Sequence, residues 1–195
     1  MQQLKPVLTA AALLVCLGFS AAASAGPPTR FLQSVDNDLK PLLADAKRNE
    51  RKIVQIVGRL LDFDRLCKDS LGKHWEGRTD AERKEFVTTL TDLIEKNLVT
   101  RMSDTKNHIV KYESEEAGAG KAAVTTIVAS GPGPRDTQTE IVYKLEQRGN
   151  GWVVVDMVTD GVSLVQNYRS QFNKIITKDG WAVMIRKMKD KLAEK

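Results

Sequence analysis

Cysteine and histidine are scarce in this chain: among 195 residues there are two of each, Cys16 and Cys67, His74 and His108. The two histidines share no spacing that suggests a metal pair, and so few thiols leave almost no raw material for a zinc or haem site. No metal ligand set, cofactor or catalytic group is expected. Long apolar runs are missing too: residues 7–19 form one of about a dozen, short of the roughly 20 that cross a bilayer. Charge of one sign is also lacking. Thirty Lys and Arg stand against 25 Asp and Glu, a net +5 that is too small to imply nucleic acid. Gly118-Ala119-Gly120-Lys121 approaches a phosphate loop, but Glu115 stands where the first glycine belongs and Ala122 replaces the Ser or Thr. No Gly-x-Ser-x-Gly elbow occurs. Enzymatic chemistry therefore has little support in the sequence.

What is present begins with an export signal. Lys5, the apolar run 7–19 and Ala23-Ser24-Ala25 have the order of a cleaved signal peptide over residues 1–25. An uncleaved anchor is the plainer alternative. Cys16 inside the apolar run, after Val15, is badly placed for lipidation. Removing the first 25 residues leaves one domain, 26–195, with a net charge of +4 and the single cysteine Cys67. No internal disulfide is then possible, and a chain of this length buries enough apolar surface without one. Cys67 sits four residues after Phe63 on one apolar helix face, which makes it a buried, unreactive thiol.

The first half is patterned for helices. Phe31, Leu32, Val35, Leu39, Leu42 and Leu43 recur at helical spacing, interrupted by Pro41. A second stripe is Ile53, Ile56, Val57, Leu60 and Leu61. Asp62 is placed to cap a short helix that Gly72 stops, and Thr79-Asp80-Ala81-Glu82 is a capping box opening the longest helix. The pattern then changes to four strands, 109–113, 122–130, 140–147 and 152–158, with turns at Gly118–Gly120, at Gly131-Pro132-Gly133-Pro134 and at Gly149-Asn150-Gly151. Short turns between sequential strands make the sheet antiparallel. Strict alternation puts Trp152, Val154 and Val158 on one face and Val153, Val155 and Met157 on the other. Ser163-x-x-Gln166 opens a helix carrying Val165, Tyr168, Phe172, Ile175 and Ile176. A last helix follows Gly180, its apolar side made by Trp181, Met184, Ile185, Met188 and Leu192. Asp156 and Asp160 are expected to bond backbone, and Arg169 to make a surface salt bridge.

The fold class expected is α+β: a four-stranded antiparallel sheet with helices before and after it. So many amphipathic helices over so small a sheet allow two packings. Either they close onto it as a solid core, or they lean away and enclose an apolar cavity.

A resemblance bears on that choice. Asp156-Met157-Val158-x-x-Gly161-Val162-Ser163-Leu164-Val165-x-Asn167-Tyr168-Arg169-Ser170-Gln171-Phe172 is similar to the signature of the MlaC family, periplasmic phospholipid-binding proteins of lipid-asymmetry and toluene-tolerance systems. Leu71-Gly72-x-x-Trp75, Thr79-x-x-Glu82-x-x-x-Phe86, Gly151-Trp152-x-Val154-x-Asp156 and Gly180-x-x-x-x-Ile185 resemble further family landmarks in the same order. The resemblance implies a nuclear-transport-factor-like sheet wrapped by helices around an apolar cavity. It implies a soluble periplasmic carrier of phospholipid, the acyl chains as cargo and no cofactor. The implied partners are an outer-membrane lipoprotein complex and an inner-membrane ABC transporter with its substrate-binding ring. Carried over by position, the lipid-binding candidates are Phe63, Leu66, Trp75, Phe86, Leu90, Val142, Val153, Val155, Met157, Val162, Val165, Tyr168 and Phe172. A hopanoid or other lipid as cargo, and a small-molecule-binding or enzymatic domain of similar shape, stay open as alternatives.

Overall fold

The computed structural model describes residues 25–104, 109–129 and 138–194. The export signal (save Ala25) with Cys16, as well as His108 and the turn at Gly131-Pro132-Gly133-Pro134, lie outside the described residues. Pro27 and Pro28 start helix α1 (Pro27–Leu39), where their missing N–H groups cost nothing. Pro41 prevents its continuation, and a 3-10 turn leads to α2 (Glu50–Leu60). Leu61 and Asp62 then touch the sheet: Leu61 pairs with Val154 as a parallel bridge, and the Asp62 amide donates to the Val154 carbonyl at 2.9 Å. That bond fixes α2 to the sheet edge before the chain turns away.

The three helix starts marked in the sequence are made as expected. The Asp62 carboxylate accepts from the Arg65 amide at 2.9 Å and opens α3 (Phe63–Leu71), which ends at Gly72 with φ +56°. At Thr79 the reciprocal pair is complete: the Glu82 amide donates to the Thr79 hydroxyl at 3.2 Å, and the Thr79 amide to the Glu82 carboxylate at 2.9 Å. Helix α4 (Asp80–Asp104) follows, the longest of the chain. The third start, at Ser163, opens α5 (Leu164–Asp179); Gly180 at φ +87° separates it from α6 (Trp181–Ala193).

Five strands form one antiparallel sheet in sequence order: β1 (Ile109–Gly118), β2 (Lys121–Ala129), β3 (Gln138–Arg148), β4 (Gly151–Thr159) and β5 (Val162–Ser163). The fifth, absent from the sequence reading, is only two residues, folded back onto β4 by the turn Asp160-Gly161 with φ of 47° and 79°. Strand β1 also runs five residues further than its pattern indicates. It is an edge strand, and Glu113, Ser114, Glu115 and Glu116 disguise its continuation past a bulge between Tyr112 and Ser114.

A second bulge overturns the strict alternation read for β4. Leu145 faces Val154 and Lys144 faces Asp156, so Val155 is an extra residue. Beyond it the parity flips. Met157, opposite Tyr143, therefore shares the inner face with Trp152 and Val154. Asp156 and Val158 take the outer face.

Most of the core lies among α3, α4, α5 and α6. Phe86 is fully buried at its centre. The Phe172 ring meets it edge-on at 5.3 Å between centroids, Trp181 lies at 5.9 Å, and Tyr168 stacks on Phe172 at 5.5 Å. Leu66, Cys67, Leu71, Leu90 and Met184 fill the remaining space. The inner sheet face adds Val124, Leu145 and Val154, all shielded from water.

Candidate functional site

Slack appears where α1 and α2 meet the sheet. A cavity of about 70 Å³ lies there, walled by Leu32, Val35, Asp36 and Leu39 of α1, Val57 and Leu60 of α2, Leu61 and Leu98. Its sheet wall is Tyr112 of β1, Tyr143 of β3 and Met157 of β4. Helical spacing places the four α1 residues on one stripe, and the Val155 bulge turns Met157 inward to complete the wall. The volume equals about two molecules of liquid water. Small-molecule sites usually hold roughly 300–1,000 Å³. Any sizeable guest must therefore part these walls.

Asp36 is the one carboxyl on this lining. It sits on an otherwise apolar helix stripe and accepts a hydrogen bond from the Tyr112 hydroxyl. Burial holds it above the usual carboxylate range, and the Tyr112 bond pulls partly the other way. Burial likewise pushes the Tyr112 phenol up, and the adjacent Asp36 adds to the shift. Tyr143 is raised by burial first and by Asp36 next. The amide of Thr29, in the first turn of α1, donates to the Glu115 carboxylate of β1 at 2.9 Å. So two side chains of one edge strand tie α1 to the sheet.

The residues picked from the sequence fall in three places. Met157 lines the cavity. Leu66, Phe86, Leu90, Val165 and Phe172 are buried in the filled helical core, with Phe63, Trp75 and Tyr168 partly buried against it. Val142 and Val153 lie on the other sheet face with Lys144 and Glu146, Val155 is the bulge residue, and Val162 is 60% exposed on the short fifth strand. The structure brings Met157 together instead with Tyr112, Tyr143, Asp36 and the α1 stripe. One signal for them was visible: a carboxylate on an apolar helix stripe needs a partner, and tyrosines on inner strand positions can supply it.

Cys67 is buried and its thiol is pushed up to about 12, so the nucleophilic thiolate is suppressed. His74 meets the Asn173 side chain at 3.0 Å. Asp156 accepts from the Ser163 hydroxyl at 2.8 Å and the Val165 amide at 3.1 Å, which joins β4 to the start of α5, and from Lys144 of β3 at 3.3 Å. Asp160 accepts from the Glu140 amide at 3.0 Å. Arg169, expected to make a salt bridge, donates instead to the Asp69 backbone carbonyl at 2.7 Å and packs over Gly72. Among the described residues no three of His, Cys, Asp or Glu gather as a metal site, and no helix is long and apolar enough to cross a membrane.

Comparison with known proteins gives these features a setting. The chain is 26% identical over 193 residues to the intermembrane phospholipid transport system binding protein MlaC of Haemophilus influenzae, spanning 90% of this chain and 86% of that one. Its fold is similar, at a TM-score of 0.71 and 20% identity, to the phospholipid-binding protein of Ralstonia solanacearum solved in complex with a phospholipid. The likeness covers 84% of this chain and 96% of that one. The model of the MlaC protein family matches residues 29–190, from the first turn of α1 into the last helix, so the chain belongs to the MlaC family.

Proposed function

We propose that this protein is a periplasmic phospholipid carrier whose cargo enters between α1, α2 and the inner sheet face. The observation that carries the reading is the apolar cavity bounded by Leu32, Leu60, Tyr143 and Met157, in a chain whose family relatives are named for phospholipid binding and transport. At about 70 Å³ the cavity is smaller than two acyl chains need. Loading requires α1 to leave the sheet, breaking the Tyr112–Asp36 and Thr29–Glu115 bonds to the middle of the edge strand.

The energetics favour such a device. Two acyl chains contain roughly 28 methylenes, each contributing about 0.8 kcal/mol when withdrawn from water. A gross gain on the order of 20 kcal/mol, even after the cost of parting the walls, keeps cargo out of solvent. Release then needs an apolar acceptor reached by docking, which fits handover between an outer-membrane lipoprotein complex and an inner-membrane ABC transporter with its substrate-binding ring. The phosphate head stays near the mouth. Of the sequence-picked residues, Met157 is placed at the acyl chains; Phe86 and Phe172 hold the scaffold that α1 moves against. Solvent extraction and mass spectrometry of the purified protein tests this. Stoichiometric diacyl lipid is expected, with reuptake from micelles after delipidation. A delipidated, folded protein that takes up none removes the reading.

A further inference from the structure

Helix α2 and the turn leading into it have a lopsided charge balance. Between residues 40 and 59, six basic side chains stand against Asp45 and Glu50. Lys40, Lys47, Arg48, Arg51, Lys52 and Arg59 are all exposed. Among the described residues, the only ion pair they make is that of Arg59 with Asp38 at 3.7 Å, 71% and 55% exposed at the two side chains. Exposed pairs of that kind hold little. Several cations elsewhere are paired: Arg65 with Asp69, Lys144 with Asp156, Lys187 with Asp179, Lys189 with Glu85.

Lys52 and Arg59 are two turns apart on one side of α2. With Gln55 they border an open groove of about 700 Å³ whose apolar part is Leu42 and Ile56. The neighbouring stripe of the same helix, Val57 and Leu60, lines the closed cavity on the inside.

We propose that this face of α2 docks on the anionic surface of a phospholipid bilayer, lipid phosphates gathering at Lys52, Arg59 and the basic residues before them. Long, unpaired, flexible cations strung over twenty residues suit phosphates that move laterally to meet them. A bilayer presents such phosphates wherever this helix face lands, whichever of the six side chains meets them. Docking this way sets a cavity wall against a lipid source. The inference goes beyond the carrier reading, because attraction to a charged surface depends on these side chains and not on cargo.

Sedimentation of the whole protein with phosphatidylcholine vesicles, with and without phosphatidylglycerol, tests it. Binding is expected only with phosphatidylglycerol and should weaken as salt rises. Each basic residue near such a surface strengthens binding about fivefold, so the double variant K52E/R59E should lose roughly tenfold or more. The equal charge reversal K174E/R186E, on exposed residues of α5 and α6, should leave binding within about twofold. Equal loss in both variants, or no binding of the unaltered protein, overturns the proposal. Binding to polyglutamate but not to vesicles also overturns it, in favour of an acidic protein partner. If K52E/R59E fails to fold by circular dichroism, K52Q/R59Q carries the same comparison. Lipid uptake from detergent micelles is measured alongside: uptake kept while vesicle binding is lost separates this surface from the carrier cavity.

Discussion

The molecule is packed in two ways. Around Phe86 the helices α3 to α6 interlock, with Phe172 and Trp181 against its ring and Tyr168 stacked on Phe172. Between α1, α2 and the sheet, side chains of the same types meet imperfectly around about 70 Å³, with a carboxyl and two phenols among them. The apolar side chains do not distinguish the two regions. What differs is the hold on the elements: α5 grows directly out of β5, which is paired to β4, and the buried Asp156 of β4 accepts from Ser163 and Val165 at that start, whereas α1 is joined to the sheet through single bonds to Tyr112 and Glu115. A tightly held region serves as a frame, and a lightly held one can be displaced by a guest.

The contrast is broken most severely by removing the frame. Phe86→Ala should cost about 3–5 kcal/mol in a urea melt, because nothing nearby can collapse into the space. A change below about 1 kcal/mol would mean that the helical core is also slack. Adding bulk sharpens the comparison. Val165→Phe in the filled core should overpack and destabilise by about 1–3 kcal/mol. Val35→Phe has the cavity to enter, so stability should hold within about 1 kcal/mol while lipid uptake drops sharply.

A smaller effect is read against pH. Asp36 has its folded-state carboxyl raised, mainly by burial. Its contribution is therefore fully present below the unfolded value, about pH 4, and is lost as pH rises through the folded value. Asp36→Asn should remove that loss while still accepting from Tyr112, so the fall in urea midpoint from pH 4 to pH 7 becomes shallower. An unchanged slope would show that Asp36 is not buried as a charge. The smallest effect expected is at Gly58 in α2, where an added methyl meets nothing within 4 Å. Gly58→Ala should stabilise by roughly 0.5–1 kcal/mol through helix propensity alone, without touching lipid uptake.

These two regions were unequally legible in the sequence. The helix starts at Asp62, Thr79 and Ser163 could be read because a cap is local chemistry: a side-chain oxygen three residues from the amide it accepts. The Gly149–Gly151 hairpin was readable for the same reason. The phase of β4 was not, since Val153, Val154, Val155, Met157 and Val158 are apolar at both parities and a bulge leaves no trace in such a run. The cavity lining was hidden because Leu32, Val35 and Leu39 have the pattern of ordinary core, and packing density is a property of how elements meet. Asp36 was the clue available, a charge on an apolar stripe. Family resemblance pointed instead to residues spread over both regions, since frame and cavity wall use the same side chains.

Photo-crosslinking with a phospholipid whose acyl chain carries a diazirine tests the central claim most directly. Mapped by mass spectrometry, the adducts should fall on Leu32, Leu60, Tyr143 and Met157. Adducts concentrated on Phe86, Leu90 and Phe172 would contradict the account, placing the guest in the helical core and making α1 a bystander.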